Sequence, residues 1–449
     1  MRGLLALTNV QIESALKDGD LISPPSTNAL LIALRAMKRP LLVITASSKA
    51  AEELTNELLE LHSDTLEFPA WETLPHERLS PSSDTVAKRI STLHALKDRE
   101  RNWVVVAPIR AVIHKINSQI VDTEPIYLER GKEFDLTHLQ EELVHFAYKR
   151  TDLVEKRGEF AVRGGILDIF PPDQDHPIRI DFFGDEIEEI SFFAVADQRT
   201  TQTISLPIKV LPCRELMITD EIRDVARDRS KKVESELLNK VADGLQPEGM
   251  ESLIPLLVYD LKLLSDFLPK NFEAIFIEKE RVIGRITDLL VTNEEFREAA
   301  WSSAAIGGKA PIELGRMDQT YVDWDELISN FDDYRDFRQF GGPEDKFIEL
   351  APIEALRGNG DKLIELLSDA LSAKKKIIFS LSSRGMIDRY ASILRDANLP
   401  VELQFPLNSA PTSGYIALTA SSYRSGFCND EFLFLTERDA TGNQSGNTE

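Results

Sequence analysis

Two runs of consecutive apolar residues, PLLVIT (Pro40–Thr45) and WVVVAP (Trp103–Pro108), constrain the fold more than anything else in this chain. Neither run alternates between apolar and polar. A strand that is apolar on both faces must be covered on both, as in a parallel sheet between layers of helices. The sequence between them supplies the cover. SSKAAEELTNELLELH follows the first run with leucines at helical spacing, and Ser47 or Ser48 stands ready to cap its N-terminus. TVAKRISTLHALKD is a second amphipathic helix, and IRAVIHKI follows the second run. Strand–helix–strand–helix predicts an α/β layer over residues 1–117.

The character then changes. Residues 118–206 are strand-rich, with period-two alternation and turn signals, and predict a small α+β module. Residues 207–345 return to helices with one clear strand, FEAIFIE (Phe272–Glu278), and a helix from Glu278 to Leu290. DWDELISNFDDYRDF reads as a helix plus a connection. Residues 346–442 predict another α/β unit, with helices DKLIELLSDALSA and RGMIDRYASILRDAN and strands KKIIFSL, VELQF, GYIALTA and EFLFLTE. Residues 443–449 read as a polar, disordered tail. At 449 residues the chain has room for about three domains.

The strand-rich segment raises the functional question. RGEFAVRGGILDIFPP (Arg157–Pro172) carries an arginine against two glycines. In the following PIRIDFFGDEIEEISFF, parity puts Ile178, Ile180 and Phe182 on one face and Arg179, Asp181 and Phe183 on the other. Gly184-Asp185 predicts a two-residue hairpin turn. Upstream, Phe160 and Val162 face inward, which puts Arg163 outward, and Gly164-Gly165 permits a bulge or a close backbone approach. One outer face then presents two arginines and a phenylalanine, the composition of a protein-interface hot spot. The competing reading pairs Arg163 and Arg179 with Asp181 and Glu159 and leaves Phe183 incidental.

Missing motifs restrict the chemistry. A phosphate cradle needs backbone N–H donors, glycine and lysine in G-x-x-x-x-G-K-[ST]. The corresponding loop holds Pro24-Pro25-Ser26-Thr27, and proline donates nothing. No G-x-G-x-x-G, H-E-x-x-H or G-x-S-x-G occurs, and Gly358-Asn359-Gly360 reads as a turn. His62, His76, His94 and His114 sit on or beside predicted helices as surface or interface histidines. Glu186, Glu188 and Glu189 read as a solvated face rather than a metal site. Cys213 and Cys428 fit no zinc or CxxC spacing and read as buried or neutral thiols in a reducing cytosol. The 75 acidic against 52 basic side chains give a net charge of −23, which repels phosphate backbones and opposes a generic DNA-binding module. No signal peptide is read at the N-terminus, and no apolar run approaches the length of about 20 residues that spans a membrane.

GEFAVRGGILDIFP, PIRIDFFGDEIEEISFFAVADQRT and FPAWETLPHERLSPSSDTVAKRISTLHAL closely resemble the N-terminal part of the bacterial transcription-repair coupling factors, and the resemblance continues to LTERDATG. It implies an α/β fold of degenerate RecA/helicase-like UvrB-homology lobes (1–117 and 207–345). A UvrA-binding α+β domain (118–206) would be inserted between them, and a small α/β domain (346–442) would follow. The first lobe would be a helicase-type domain without its nucleotide site. The family's UvrA-contacting residues, two arginines and a phenylalanine, fall on Arg163, Arg179 and Phe183, with Gly164 and Gly165 as supporting backbone. The implied function is a non-catalytic, cytoplasmic adaptor that recruits UvrA to lesion-stalled RNA polymerase in transcription-coupled nucleotide excision repair. Full-length members are ATP-dependent DNA translocases. This chain is expected to stop before their polymerase-binding domain and motor, so DNA, RNA polymerase and ATP would be met only through parts beyond it, and the UvrA face would be constitutively available. The alternative is a UvrB-like damaged-DNA-binding ATPase. That needs a P-loop and an aromatic hairpin, but Phe68–Arg89 holds one tryptophan, no tyrosine and prolines at 69, 75 and 81, and reads as a closed connection.

Overall fold

The computed structural model describes residues 1–7, 12, 16, 19–74, 79–232, 235–305, 320–342 and 347–442. His76, Pro75 and the 443–449 tail lie outside them. The chain opens with β1 (Leu21–Ile22), helix α1 (Asn28–Ala36), β2 (Leu41–Thr45), α2 (Ser48–Leu59), β3 (Thr65–Glu67), α3 (Ser83–Ala95) and β4 (Val104–Pro108). Ser47 caps α2, its Oγ accepting the Ala50 N–H at 3.3 Å.

The chain then leaves this layer through β5 (Ile126–Leu128) and helix α4 (Leu136–His145). It forms six further strands, β6 (Lys149–Arg150), β7 (Glu159–Arg163), β8 (Ile166–Ile169), β9 (Ile178–Phe183), β10 (Glu186–Phe193) and β11 (Thr200–Thr203), and comes back along β12 (Ile208–Val210). β12 pairs antiparallel with β5, so the excursion has a two-stranded stem. Its main sheet runs β11-β10-β9-β8-β7-β6. Helices α5 (Asp220–Ser230) and α6 (Glu236–Ala242) follow, with a core of their own against Trp71.

Two strands from the later sequence complete the first layer: β13 (Glu273–Ile277), which precedes helix α7 (Lys279–Ala305), and β14 (Tyr334–Arg338). The finished sheet is parallel throughout, in the order β1-β14-β13-β2-β4-β3. Residues 41–108 and 273–338 are therefore one sheet. Strand β14, YRDFR, corrects the sequence reading of a connection. Charges hid it: Asp336 is buried and accepts the Lys279 N–H at 2.9 Å, while Phe337 is buried in the core.

The two apolar runs are explained by this layer. Leu42 and Ile44 face one core, shared with α3 and with the inner face of the excursion sheet. Leu41 and Val43 face another, shared with α1 and with the C-terminal unit. Helix α1 is apolar almost all round because it lies inside that second core, where Leu30, Leu31 and Ile32 are fully buried.

The C-terminal unit holds β15 (Ala351–Pro352), α8 (Gly360–Ser372), β16 (Lys376–Leu381), α9 (Arg384–Asp396), β17 (Val401–Leu403), β18 (Ile416–Ala420), β19 (Phe427–Cys428) and β20 (Phe432–Thr436). Its sheet order is β15-β19-β20-β16-β18-β17. Helices α8 and α9 cover one face, and Ile378, Phe432 and Phe434 join the second core on the other. This unit is thus fused to the first layer rather than tethered to it. Arg424 adds an ion pair to Glu53 on α2, and the Ser422 hydroxyl donates to the Asn56 carbonyl at 3.1 Å.

A buried ion pair joins the root of the excursion to α3. Arg89 and Glu215 are 0% and 1% exposed. Arg89 donates to Glu215 through Nε (2.5 Å) and Nη2 (3.3 Å), and Trp71 Nε1 donates to the same carboxylate at 2.8 Å. The tryptophan of the Phe68–Arg89 segment is therefore committed to the core. His114, read from the sequence as a surface or interface histidine, is also buried, edge-on to Trp71 at 4.5 Å. Burial, and then the charges of Arg89 and Arg110, push its imidazole well below the usual histidine range. Among the described residues no helix is long and apolar enough to cross a membrane, and no cluster of potential metal ligands occurs.

Candidate functional site

The excursion sheet has an inner face and an outer face. Phe160, Leu167, Ile169, Ile178 and Ile180 are fully buried on the inner one. Ile187 and Ile190 are buried there too, although a spacing of three breaks strand parity. The register resolves the conflict. Asp181 faces Glu189 and Phe182 faces Ile187, so Glu188 has no opposite residue. This one-residue bulge returns both isoleucines to the core.

Two tight turns lie at the same end of the sheet. Arg163 pairs with Ile166 across Gly164-Gly165, and Phe183 pairs with Glu186 across Gly184-Asp185. Gly164 and Gly184 take φ of +61° and +63°, as the first position of a type II′ turn requires. Gly165 is needed for space: a Cβ there would lie 2.9 Å from the Phe182 carbonyl oxygen. The Phe182 N–H donates to the Gly165 carbonyl at 2.8 Å, so the glycine pair is stitched to the strand that carries Phe183.

Phe183 is 78% exposed and has no place in any hydrophobic core among the described residues. Leu206, Phe340 and Tyr259 are comparably exposed, but Phe183 is the one that stands at the end of this hairpin, on the strand that also carries Arg179. The two arginines are held differently. Both turn to Asp168, a carboxylate on β8 that is 1% exposed. Arg179 grips it with Nε to Oδ1 at 2.7 Å and Nη2 to Oδ2 at 2.9 Å. Its Nη1 donates to the Gln198 carbonyl at 3.1 Å, and its guanidinium stacks over the buried Phe193 ring at 4.8 Å. Arg163 adds a bond from Nη2 to Oδ2 at 3.2 Å and stays half exposed.

The sequence reading therefore needs two corrections. The arginines pair with Asp168, not with Asp181 and Glu159. The Glu159 carboxylate instead accepts the backbone N–H groups of Glu155 and Lys156. And Arg179 is not a free outward side chain: its removal leaves a buried carboxylate with one remaining partner. The signal for Asp168 was present, because parity places it on the outer face beside Arg179. What parity does not reveal is its burial: Asp168 is 1% exposed and pairs across the strands with Ala161, which packs in a small cluster with Val154, Phe170 and Phe193. Phe183 lies four residues along β9 from Arg179, about 13 Å at strand spacing. The arginines thus share one anchor, and Phe183 stands apart at the hairpin end.

The Pro24–Thr27 loop folds back on itself. Pro25–Thr27 forms a short 3-10 turn, and the Thr27 N–H and hydroxyl both donate to the Pro24 carbonyl, at 2.9 and 2.7 Å. The adjoining cavity, of about 620 Å³, is lined by Ile22, Pro24, Pro25, Phe340, Phe347 and Ile348 among others. Cys213 is buried, which pushes its thiol up to about 12 and favours the neutral form.

The family model of the UvrB interaction domain matches residues 126–216, from the first strand of the stem to just past the second. The transcription-repair-coupling factor of Mycobacterium tuberculosis is 32% identical over 94% of this chain, which covers 37% of that protein. Those of Myxococcus xanthus and Escherichia coli are 32% and 27% identical over 52% of the chain, which covers 21% of each. The chain thus spans well under half the length of the curated relatives it matches.

Proposed function

We propose that this chain, which is related over nearly its whole length to the N-terminal region of the transcription-repair-coupling factors, is a non-catalytic adaptor that presents the outer face of its excursion sheet to UvrA in transcription-coupled nucleotide excision repair. The observation that carries this reading is Phe183, 78% exposed on a stitched hairpin within the segment that matches the UvrB interaction domain. Arg163 contributes a half-exposed guanidinium on the same face, and Arg179 contributes through the position it holds against Asp168. The site needs no cofactor, and the setting is the cytoplasm. Contact with RNA polymerase and translocation on DNA belong to other parts of such factors. The reading of a damaged-DNA-binding ATPase is disfavoured by the proline loop at Pro24-Pro25 and by the buried Trp71.

The test is equilibrium titration of UvrA against the wild-type chain and Phe183→Ala. An exposed aromatic anchor supplies about 2 kcal/mol to an interface, so the variant should bind roughly 30-fold more weakly. Its thermal unfolding should be unchanged, because the ring makes no core contact. Wild-type affinity in the folded variant would refute the face.

A further inference from the structure

We infer that Asp168 is a positioning residue of the docking face, holding Arg163 and Arg179 in the arrangement that a protein partner meets. The inference rests on the UvrA-docking reading and adds to it the device that orders the arginines. A carboxylate that is 1% exposed among Val154, Ala161, Phe170 and Phe193 costs stability unless it is fully paired. An apolar side chain of similar size would serve the packing at least as well. What a carboxylate does there, and an apolar group does not, is accept three guanidinium N–H bonds from two strands at once: two from Arg179 on β9 and one from Arg163 on β7. The register makes this possible. Asp168 lies between Ala161 on β7 and Arg179 on β9, and the small Ala161 leaves lateral room for the Arg163 side chain, two pairs further along and on the same face.

The consequence is a division of labour. Arg179 is immobilised on three sides, by Asp168, the Gln198 carbonyl and the Phe193 ring. Arg163 is tethered by one nitrogen and keeps its remaining donors toward solvent. Asp168 offsets part of the charge of the two guanidinium groups, and Arg163 is the one left half exposed, while Asp181, Glu188 and Glu189 carry negative charge nearby. The partner chemistry that fits is an acidic side chain for Arg163 beside an apolar recess for Phe183. Both arginines are already ordered, so binding does not have to restrict their rotamers.

Charge and position predict opposite outcomes for Asp168→Asn. The substitution keeps the size of the side chain but raises the net charge of the face by one. If the arginines acted only by their charge, UvrA, approached through an acidic group, would bind as tightly or more tightly. Positioning predicts binding about tenfold weaker in spite of the extra charge, because Arg163 loses its tether and Arg179 loses one of its three restraints. Asp168→Glu keeps the charge and moves the carboxylate by one methylene, so it should lie between wild type and Asp168→Asn. In an Arg163→Ala background, part of the Asp168→Asn effect should disappear. Affinity is to be measured by titration of UvrA, with circular dichroism and melting curves on each variant. If Asp168→Asn does not fold, Asp168→Glu decides: weakened binding at a wild-type melting temperature supports positioning, and wild-type affinity overturns it. Unchanged or tighter binding by folded Asp168→Asn overturns it as well. If the wild-type chain itself fails to bind UvrA, the docking reading has failed, which is a distinguishable result.

Discussion

Glu215 should be among the most expensive side chains in the molecule to remove. It lies just after β12, where the excursion rejoins the rest of the chain. Its carboxylate takes two N–H bonds from Arg89 and one from Trp71, and its backbone carbonyl accepts the Asn117 side-chain amide at 2.9 Å. Arg89 is 0% exposed and sits 4.2 Å above the Phe68 ring. In Glu215→Ala its guanidinium would keep one protein acceptor, the Pro69 carbonyl at 3.0 Å, and no counter-charge. Breaking a buried pair from one side costs about 3–5 kcal/mol, because the desolvated partner is left uncompensated. Loss of the Trp71 bond acts in the same direction. Such a cost is a large fraction of the ordinary stability of a domain, about 5–15 kcal/mol. The assay is guanidinium denaturation followed by tryptophan fluorescence and circular dichroism. The double variant Arg89→Met, Glu215→Leu should recover most of the loss, since an apolar pair of similar volume leaves no stranded charge. A Glu215→Ala cost below about 1 kcal/mol, or a double variant no better than the single one, would refute the argument that this pair closes the root of the excursion.

Two further outcomes are expected. Burial raises the Glu57 carboxyl to about 7, against the opposing effects of the Arg424 N–H and charge, at the seam between α2 and the C-terminal unit. A carboxyl whose folded value lies above its unfolded value of 4.5 contributes stability that is complete below pH 4.5 and is lost as pH rises through about 7. Glu57 keeps some contact with solvent, so the loss should be about 1–3 kcal/mol between pH 5 and 8. The difference between wild type and Glu57→Gln in denaturation midpoint should therefore change with pH over that range; equal pH slopes would sink the idea. The second outcome concerns nucleotide. Equilibrium binding of a fluorescent ATP analogue with Mg²⁺ should show no saturable micromolar site, because the Pro24–Thr27 turn spends its donors on itself. ATP-competable binding would contradict it.

The sequence by itself determined the layer. Consecutive apolar residues in Leu41–Thr45 and Val104–Pro108 can only be covered on both sides, and Leu41/Val43 and Leu42/Ile44 do enter opposite cores. Parity likewise determined that Phe183 lies opposite the core-facing Ile178 and Ile180. Those readings needed only local periodicity and the cost of exposing apolar area. The tertiary structure decided wherever a charge was buried or a strand was irregular. YRDFR joins the central sheet with its buried carboxylate satisfied: Asp336 accepts the Lys279 N–H and pairs with Arg338, while Arg335 pairs with Glu273 on the neighbouring β13. Glu188 is passed over by the register because only a bulge returns Ile187 and Ile190 to the core together. Asp168 became the partner of Arg163 and Arg179 through the register of three consecutive strands, and Glu215 became the partner of Arg89 across 126 residues. A periodic pattern reports which face a residue is on. It does not report which opposite charge waits there, because that is set by register between strands and by the packing that removes water from the pair.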